Sequence, residues 1–378
     1  MSEHETLVVI QATTFCNIDC SYCYLPHRNR RSRLSLETAE LIFQRVFESR
    51  VLGRPIAFLW HLGEPLVLPV EFYEAAFARC KLAAGDIPYM HSFQTNATLL
   101  DATWIELLRR HKVRLGVSID GPAFLHDEKR RTRSGRGTHT QVMRGIRLLQ
   151  QNNIPFSVIS VLTERSLAYP DAIFDFFLEN GMDDVAFNLD EIEGVNAVSS
   201  FAGTDDPRES YKRFLERILE RIDVSDGAVK VREIWKTARS LTDGKGDIRN
   251  TTNAPFQILN VKTNGDFSTY CPELITADAV SGRSFILGNL SEISIDEAAT
   301  SNLFEKIEAE VAAGRELCRA QCEYWDFCGG GSPSNKFFEF NRLDVAETLT
   351  CRVHLKTTVD VVAAYLQRHL NAGIQRPV

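Results

Sequence analysis

Three cysteines near the start of the chain have the spacing of an iron–sulfur site. Cys16, Cys20 and Cys23 form the pattern C-x3-C-x2-C, directly after an apolar run at residues 7–10 that is typical of a buried strand. Three thiolates on one short loop can bind three irons of a [4Fe–4S] cluster and leave the fourth iron open. An open iron can bind a substrate or cofactor, so this pattern favours catalysis over simple electron transfer. A zinc knuckle is the alternative, with His27 as its fourth ligand.

Five later cysteines indicate a second metal region. Cys318, Cys322 and Cys328 are followed by Cys351, and four thiolates are enough to complete an Fe–S cluster. A zinc ion held by four cysteines is the alternative, because such sites are common. Cys271 stands apart in the sequence, so the pattern leaves it as either a further ligand or a structural residue.

Length, composition and charge bound the class of protein. The 378 residues suffice for two or three domains, and 44% hydrophobic with 25% charged residues is typical of a globular protein. A net charge of −7 gives no overall attraction to nucleic acid or a membrane, so we expect neither as a partner. Residues 1–5 carry acids and lead into the first strand, which predicts no signal peptide, and no apolar run has membrane-spanning length. We therefore expect a cytoplasmic protein, in which nine cysteines indicate metal ligands rather than disulfides.

Apolar runs alternate with amphipathic helical patterns through the first half of the chain. Six strands are predicted, at residues 7–10, 56–60, 91–96, 114–120, 156–162 and 184–189. Their alternation with helices favours an α/β fold with parallel pairing through right-handed βαβ crossovers. Such a unit closes into a barrel or partial barrel and carries its chemistry at the carboxyl ends of the strands.

Polar motifs follow these predicted strands, so the topology should bring them to one rim. They are Gly63, Glu64 and Pro65 after the second strand, Gln94 and Asn96 after the third, Ser118 and Asp120 after the fourth, and Asp190, Glu191 and Glu193 after the sixth. One of the last three acids is a candidate general base for a proton released during substrate oxidation. A solvated acidic rim is the alternative for these three residues.

Pattern and composition divide the chain into three parts. Residues 1–205 hold the strand–helix unit, residues 206–250 two bridging helical segments, and residues 251–378 the late cysteines. A shift to Asp, Gly, Lys, Asn and Thr over residues 243–253 marks the second boundary. Beyond it, Asn264-Gly265 between two short apolar runs predicts a β-hairpin.

The early cysteine loop, together with Gly63-Glu64-Pro65, resembles the signature of radical S-adenosylmethionine (radical SAM) enzymes. In that family a Gly-Gly-Glu-Pro segment lines the cofactor, and its glutamate binds the methionine ammonium. Here Leu62 replaces the first glycine, so the backbone approach at this residue can differ. The resemblance implies a partial (β/α)6 radical SAM barrel that holds one [4Fe–4S] cluster and S-adenosylmethionine (SAM).

The same resemblance assigns further residues to the cofactor. The implied contacts are Gly63, Glu64, Pro65, Gln94, Asn96, Ser118, Asp120, Asn188, and one of Arg130 and Arg131. The arginine would pair with the methionine carboxylate, because a guanidinium fork suits a carboxylate. A solvated charged loop is the alternative for each arginine.

The late cysteines resemble the SPASM extension of radical SAM peptide maturases, which holds auxiliary Fe–S clusters. That extension usually has seven cysteines, and Ser332 stands where one more would be expected after Cys328. We therefore expect a C-terminal SPASM-like domain with at least one auxiliary [4Fe–4S] cluster. Three arrangements stay open: one auxiliary cluster, two clusters with non-cysteine ligands, or a structural Cys271.

Residues 60–69, 187–194 and 268–274 resemble the cyclophane-forming maturases of the GrrM type. Those enzymes act on glycine-rich precursor peptides and join an aromatic ring carbon to a β-carbon two residues on. The resemblance implies two partners, a precursor peptide and an electron donor such as flavodoxin or ferredoxin. Two alternatives stay open: formylglycine formation, as in anaerobic sulfatase maturases, and an Fe–S or zinc-stabilised peptide-binding scaffold without catalysis.

Overall fold

The chain folds around one open sheet. The structure, a computed structural model, describes residues 5–242 and 250–371. In these two ranges the strands are β1 (Thr6–Gln11), β2 (Ile56–His61), β3 (Tyr89–Thr95), β4 (Arg114–Ser118), β5 (Phe156–Leu162), β6 (Asp184–Leu189), β7 (Lys230–Val231), β8 (Ile258–Val261), β9 (Asp266–Thr269) and β10 (Gly288–Asn289). Their spatial order is β10-β9-β8-β1-β2-β3-β4-β5-β6-β7.

Parallel pairing dominates this sheet. β1 to β6 lie side by side in sequence order, and β8 and β7 flank them as parallel neighbours. β9 and β10 complete one edge in antiparallel pairing. The six predicted parallel strands are therefore confirmed, and with them the predicted α/β architecture with a partial rather than closed barrel.

Helices follow most of the strands, as the alternating pattern predicts. They are α1 (Leu36–Glu48), α2 (Val70–Ala84), α3 (Ala102–His111), α4 (Ala123–Lys129), α5 (His139–Gln151), α6 (Pro170–Glu179), α7 (Pro207–Val224), α8 (Arg232–Thr242), α9 (Asp278–Ser281), α10 (Ile295–Ala298), α11 (Asn302–Gln321), α12 (Trp325–Cys328), α13 (Pro333–Phe340) and α14 (Thr357–Asn371), with a π-helical turn at Cys351–Lys356. The side chains of Ser35 and Asp101 cap α1 and α3 by accepting from backbone N–H groups of the first turn. None of the described helices is long and apolar enough to cross a membrane.

The two faces of the central strands have different environments. Successive side chains of a strand point to opposite faces, and one face packs under the helices. On that face Phe58 and Trp60 of β2 are fully buried, and the Trp60 ring lies 5.2 Å from the ring of Tyr73 in α2. Alternate residues on the other face are polar and half-buried. These are Gln11, His61, Gln94, Ser118 and Asn188, each at or near the carboxyl end of its strand.

The last third of the chain extends the same sheet. β8 pairs with β1, and the predicted Asn264-Gly265 hairpin is present between β8 and β9. α14 packs against α7 and α8, the two bridging helices. The second of these begins at Arg232, because the preceding residues Lys230 and Val231 pair with β6. The composition shift that marked a boundary falls partly on residues 243–249, which lie outside the described residues.

Candidate functional site

Two arginines hold the backbone of the early cysteine loop, residues 16–23. Arg28 Nη1 donates to the carbonyl of Cys20 at 2.9 Å, and Arg133 Nε donates to the carbonyl of Cys16 at 2.9 Å. Arg28 also pairs with Asp19 at 3.0 Å. The guanidinium groups therefore fix the loop conformation and place positive charge beside the thiols, where a negatively charged cluster would be stabilised.

The three early thiols differ in exposure. Cys20 is buried, and Cys16 and Cys23 are partly exposed. Burial raises the pKa of Cys20 to about 12 and raises that of Cys16 further, so these thiols need a metal to become thiolates at neutral pH. No three metal-binding side chains among the described residues are arranged around a single-ion site. Each cysteine of a cubane binds a different iron, so three thiols on one loop suit three corners of a [4Fe–4S] cluster, whereas a structural zinc ion takes four protein ligands.

A buried network ties the cysteine loop to β4 and β5. The Asp120 carboxylate accepts from the Tyr22 hydroxyl, from Arg130 Nε at 2.9 Å and from the Val161 N–H at 3.0 Å. Burial disfavours the charge on Asp120, but Arg130, His126 and the hydrogen bond from Tyr22 together outweigh it and lower the pKa of this carboxyl. Asp120 and Arg130, which were predicted to contact the cofactor, thus partner each other and brace the loop.

Arg131, the other arginine predicted to bind the cofactor, lies in a different environment. Its side chain is exposed, and its Nε donates to the carbonyl of Asp127 at 2.9 Å. The backbone of Arg131 pairs with Gly137, and its carbonyl accepts from the N–H of Asp19 in the cysteine loop at 2.7 Å. The structure therefore places this side chain with the charged loop rather than with the half-buried strand ends.

Glu64 is buried and held in one orientation. It is 2% exposed and accepts from the Thr95 hydroxyl at 2.6 Å, the Asn96 N–H at 2.8 Å and the Leu66 N–H at 3.0 Å. Burial raises its pKa to about 7, and the described groups that shift this pKa include no cation. Glu64 in turn raises the pKa of Cys16, which shows that the carboxylate and this thiol lie close together. A ligand ammonium would supply the missing positive charge beside the first cysteine.

The backbone before Glu64 packs directly on the cysteine loop. Gly63 has φ 134°, and a Cβ on this residue would lie 2.3 Å from the carbonyl oxygen of Thr13. The N–H of Glu64 donates to the carbonyl of Phe15 at 3.0 Å. Leu62, which replaces the expected glycine, also has a positive φ of 63°, in the region that glycine prefers. Its buried side chain keeps this conformation in place by packing with Val9 and neighbouring residues.

The strand-end amides and hydroxyls are joined in pairs. Gln94 Nε2 donates to the Ser118 hydroxyl at 2.9 Å, which links the ends of β3 and β4. Asn96 Nδ2 donates to Asn17 Oδ1 at 2.9 Å and lies 3.8 Å from the sulfur of Cys16. The structure therefore brings Gln94, Asn96 and Ser118 to the rim that also holds the cysteine loop, while Pro65 begins a short helical turn beside Glu64.

Asn188 has a partner that the sequence did not suggest. Arg232 Nη2, at the start of α8, donates to Asn188 Oδ1 at 3.0 Å. Arg232 also pairs with Glu233, whose carboxylate accepts from the N–H of Phe187 at 2.9 Å. Because about forty residues separate β6 from this arginine, no local sequence pattern could have joined them.

The three acids after β6 do not share one role. Asp190 accepts from the Asn196 side chain at 2.9 Å and from the Ser200 N–H at 3.1 Å, so it shapes its own loop. Glu191 accepts from Asn335 Nδ2 at 2.7 Å, and Glu193 accepts from the same amide at 3.3 Å. The structure therefore groups Glu191 and Glu193 against α13 and separates them from Asp190.

A third acid, missed by the sequence analysis, joins this pair. Burial raises the pKa of Glu191 and Glu273 to about 7 and raises that of Glu193 well above its ordinary value. Repulsion from Glu273 and Glu191 adds to the shift of Glu193, and repulsion from Glu191 adds to that of Glu273. Tyr24 directly follows the cysteine loop, and burial together with the charges of Glu273 and Glu193 raises its pKa. Its carbonyl accepts from the Val195 N–H at 3.0 Å. The acids therefore lie beside the cysteine loop, and the pKa values of Glu191 and Glu273 suit proton transfer near neutral pH.

The four late thiols come together from separate elements. Cys318 lies in α11, Cys322 follows it, Cys328 ends α12 and Cys351 begins the π-helical turn. Burial raises the pKa values of Cys318, Cys328 and Cys351, and mutual thiolate repulsion involving Cys322 contributes to each. The N–H of Gly331 donates to the Cys328 sulfur at 3.0 Å, a bond that is common around cluster ligands. This donor set fits one auxiliary cluster.

Cys271 belongs to a different environment. Its sulfur lies 3.1 Å from the Ser332 hydroxyl and 3.5 Å from the carbonyl of Thr252. The side chains of Asn250 and Asn253 fill the neighbouring space with hydrogen bonds to backbone carbonyls of residues 328–331. Besides Ser332, the Ser334 hydroxyl and the Glu273 carboxylate act on this thiol, so the surroundings of Cys271 combine one thiol with oxygen groups. Fe–S clusters are usually held by four cysteine thiolates, which this set does not supply. The geometry favours a structural Cys271 among the three arrangements left open.

Three comparisons with known proteins agree with this geometry. Residues 10–177 match the radical SAM superfamily. The uncharacterised protein sll1766 of Synechocystis sp. is 40% identical over 370 residues, which cover 96% of this chain and 92% of that protein. The serine-type anaerobic sulfatase-maturating enzyme of Bacteroides thetaiotaomicron is 34% identical over 170 residues, 43% of this chain and 41% of that enzyme.

A solved structure matches almost the whole fold. It is described as native anSMEcpe with bound AdoMet and the Cp18Cys peptide, and it superimposes with a TM-score of 0.79. The match covers 97% of this chain and 99% of that chain at 21% sequence identity. The fold similarity therefore extends from the parallel strands through the region of the late cysteines.

Proposed function

This chain belongs to the radical SAM superfamily, and we propose that it is a maturase that oxidatively modifies a ribosomally made precursor peptide. It is a radical SAM enzyme, whose cofactors are a [4Fe–4S] cluster and SAM. When bound, the two supply a 5′-deoxyadenosyl radical and methionine by one-electron reductive cleavage. The remaining question is what the side chains of this protein add to that chemistry.

We assign binding of the cluster and SAM to the rim around the cysteine loop. Cys16, Cys20 and Cys23 would hold three irons, and Glu64 would accept the SAM ammonium through its remaining lone pairs. The linked Gln94 and Ser118 side chains, with their half-buried polar atoms, would meet the polar parts of SAM. Asp120 and Arg130 support this rim from behind by fixing the loop.

We propose that the modification is a crosslink between an aromatic ring carbon and a peptide β-carbon. The β-carbon would lose one hydrogen atom to the 5′-deoxyadenosyl radical and form the new carbon–carbon bond. The ring would then lose one proton to a nearby carboxylate and one electron to the auxiliary cluster, and so become aromatic again. The protein must therefore accept a proton close to the peptide. Glu191 and Glu273 suit this role because they lie in the acidic group beside the cysteine loop and have pKa values raised to about 7. Glu193 belongs to the same group, and its pKa is raised well above the ordinary value.

One observation carries the choice of a crosslink over the sulfatase-type reaction. The sulfur of Cys271 lies 3.1 Å from the hydroxyl of Ser332, the residue that stands where the seven-cysteine pattern would supply another thiolate, and this contact supports a chain with one auxiliary cluster. This departure supports a subclass distinct from the sulfatase maturases, and the segments that resemble GrrM-type maturases point to cyclophane formation.

Formylglycine formation is the second candidate. It is favoured by the 34% identity to a serine-type anaerobic sulfatase-maturating enzyme and by the fold match to a structure with a bound peptide. A peptide-binding scaffold without catalysis would keep the cysteine regions but would not cleave SAM.

Anaerobic incubation with SAM, a reductant and the peptide encoded beside the gene tests the three functions. A crosslink and the oxidation of serine to formylglycine both remove two hydrogens, so mass alone cannot separate them. Reaction with a hydrazine separates them, because it labels the aldehyde of formylglycine and leaves a cyclophane unlabelled. We expect a peptide lighter by two hydrogens that resists hydrazine and loses the modification when its aromatic residue becomes alanine. A labelled product would establish the second candidate, and intact SAM would establish the scaffold.

Three further assignments stay predictions. They are the division at residues 1–205, 206–250 and 251–378, a flavodoxin or ferredoxin as electron donor, and a cytoplasmic location. Co-purification of a tagged enzyme with its reductant tests the identity of the electron donor. Fractionation of the source cells tests the cytoplasmic location.

A further inference from the structure

A lysine lies among the four late cysteines. Lys336 of α13 is only 3% exposed, although lysine is among the residues that are rarely buried without a partner. Its Nζ donates to the carbonyl of Gly314 at 3.0 Å and lies 3.6 Å from the sulfur of Cys318. The charges of Cys328 and Cys351 also act to raise the pKa of this ammonium, so three of the four thiols lie near it.

The surrounding chain makes room for this ammonium. A Cβ on Gly314 would lie 3.0 Å from Lys336 Nζ and 2.2 Å from the carbonyl oxygen of Leu343. A larger residue at position 314 would therefore push α11 away from the lysine. Burial lowers the pKa of Lys336, and the thiolates of Cys318, Cys328 and Cys351 act in the opposite direction.

We propose that Lys336 is a positioning residue whose ammonium stabilises the reduced form of the auxiliary cluster held by the four late cysteines. The inference rests on the proposed function in one respect, because it takes these cysteines as ligands of an Fe–S cluster. Reduction adds one negative charge to the cluster, and a buried positive charge a few ångströms from a ligand sulfur favours that added charge. Lys336 therefore makes the cluster a better electron acceptor than four cysteines alone would make it.

A potentiometric titration tests this inference without measuring turnover. The background is a chain in which Cys16, Cys20 and Cys23 are all replaced by alanine, so that only the auxiliary cluster contributes to the electron paramagnetic resonance signal. Into it we would introduce Lys336→Met, which keeps the length of the side chain but removes its charge, and Lys336→Arg, which keeps the charge. Each protein is reconstituted anaerobically, its iron is counted, and its midpoint potential is measured.

We expect all three proteins to hold about four irons, as one cluster requires. The midpoint potential of Lys336→Met should be more negative than that of the background chain, and Lys336→Arg should stay close to the background. Equal midpoints for all three chains would overturn the proposal.

The methionine variant can also fail to load iron, and Lys336→Gln then serves as the second uncharged variant. A more negative midpoint in Lys336→Gln supports the proposal. If both uncharged variants lose the cluster while Lys336→Arg keeps it, the lysine holds the cluster together and does not tune it, which also overturns the proposal. Zinc instead of iron in the background chain would contradict the cluster assignment itself. A shifted midpoint in these chains, with no crosslink formed by the protein that keeps Cys16, Cys20 and Cys23, would contradict only the proposed reaction.

Discussion

The two cysteine regions hold their ligands in contrasting ways. The early region gathers three cysteines on one loop at residues 16–23, and arginines hold that loop through its backbone carbonyls. The late region gathers four cysteines from α11, α12 and the π-helical turn, and a lysine approaches the thiols themselves. A single loop is compact but supplies three ligands, whereas several elements together can enclose a cluster on all sides.

This contrast assigns different tasks to the two regions. An iron that lacks a protein ligand can bind SAM, and Glu64, which we propose as the partner of the SAM ammonium, lies beside that loop. A cluster with four protein ligands has no open iron, so it is suited to moving electrons. The number of cysteine ligands and the position of the nearest cation therefore distinguish the two regions. Together they predict a reactive cluster in the early region and an auxiliary cluster in the late region.

We expect the largest effect from variants that remove a cysteine of the early region. Replacing Cys16, Cys20 or Cys23 with alanine should reduce SAM cleavage to the background rate, because each removes a ligand of the only open cluster. The measurement is 5′-deoxyadenosine formed under reducing, anaerobic conditions. Cys80→Ala is the matched control, since Cys80 is buried in α2 away from both regions and should leave cleavage intact. Continued cleavage in the three loop variants would remove the basis of the comparison.

The second largest effect should come from a variant of the late region, and it should distinguish the role of that region from the role of the early one. Cys328→Ala should still cleave SAM but should form no crosslink and should lose about four of about eight irons. The measurements are 5′-deoxyadenosine, peptide mass and iron content on the same sample. Loss of cleavage together with the crosslink would show that the two regions act as one site.

We expect a moderate dependence of SAM affinity on pH, and this dependence tests the role assigned to Glu64. Burial raises its pKa to about 7, and only the ionised form can pair with the SAM ammonium. Lowering the pH from about 7 to about 6 reduces the ionised fraction from about a half to roughly a tenth, so SAM affinity should fall about fivefold over this unit and approach about tenfold per unit at lower pH. Equilibrium dialysis with the reconstituted enzyme measures this dependence. Glu64→Gln should bind weakly at every pH, and an unchanged slope in that variant would assign the titration elsewhere.

The smallest expected effect concerns Cys271. Cys271→Ser should keep about eight irons and both cluster spectra, because a hydroxyl can replace the thiol in its contact with Ser332. Its cost to stability should be about 1 kcal/mol, the usual scale of one altered hydrogen bond. Iron analysis and chemical denaturation of the apoprotein measure the two quantities. Loss of iron would make Cys271 a ligand and return the second auxiliary cluster to consideration.

Part of the site could be predicted because its signals are local. The spacing of Cys16, Cys20 and Cys23 depends on one loop, and apolar runs with period two place Gln94 and Ser118 at strand ends. Parallel topology then brings those ends to one rim, which the structure shows. The sequence did not predict the pairing of Asp120 with Arg130. Both residues match a family motif, and that resemblance implies a contact of each residue with the cofactor instead of with the other.

The rest depends on contacts between distant segments. Lys336 follows Cys328 closely in sequence, but its burial is set by α11, which comes from another part of the chain. Glu273 and Asn335 reach the acids after β6 only because β8 extends the sheet beside β1 and carries the last third of the chain to that rim. Periodicity cannot report such distances, since it describes neighbours along one element.

The short helix α13 has a consequence for how this protein can evolve. Asn335 holds Glu191 and Glu193, and the very next residue, Lys336, meets Cys318. Successive residues of an α-helix are rotated by about 100°, so these two point in different directions only as long as the helical register is kept. A one-residue insertion or deletion ahead of Asn335 would displace both contacts in a single step. Descendants of this sequence that change their substrate are therefore expected to keep the length of α13 and to vary elsewhere.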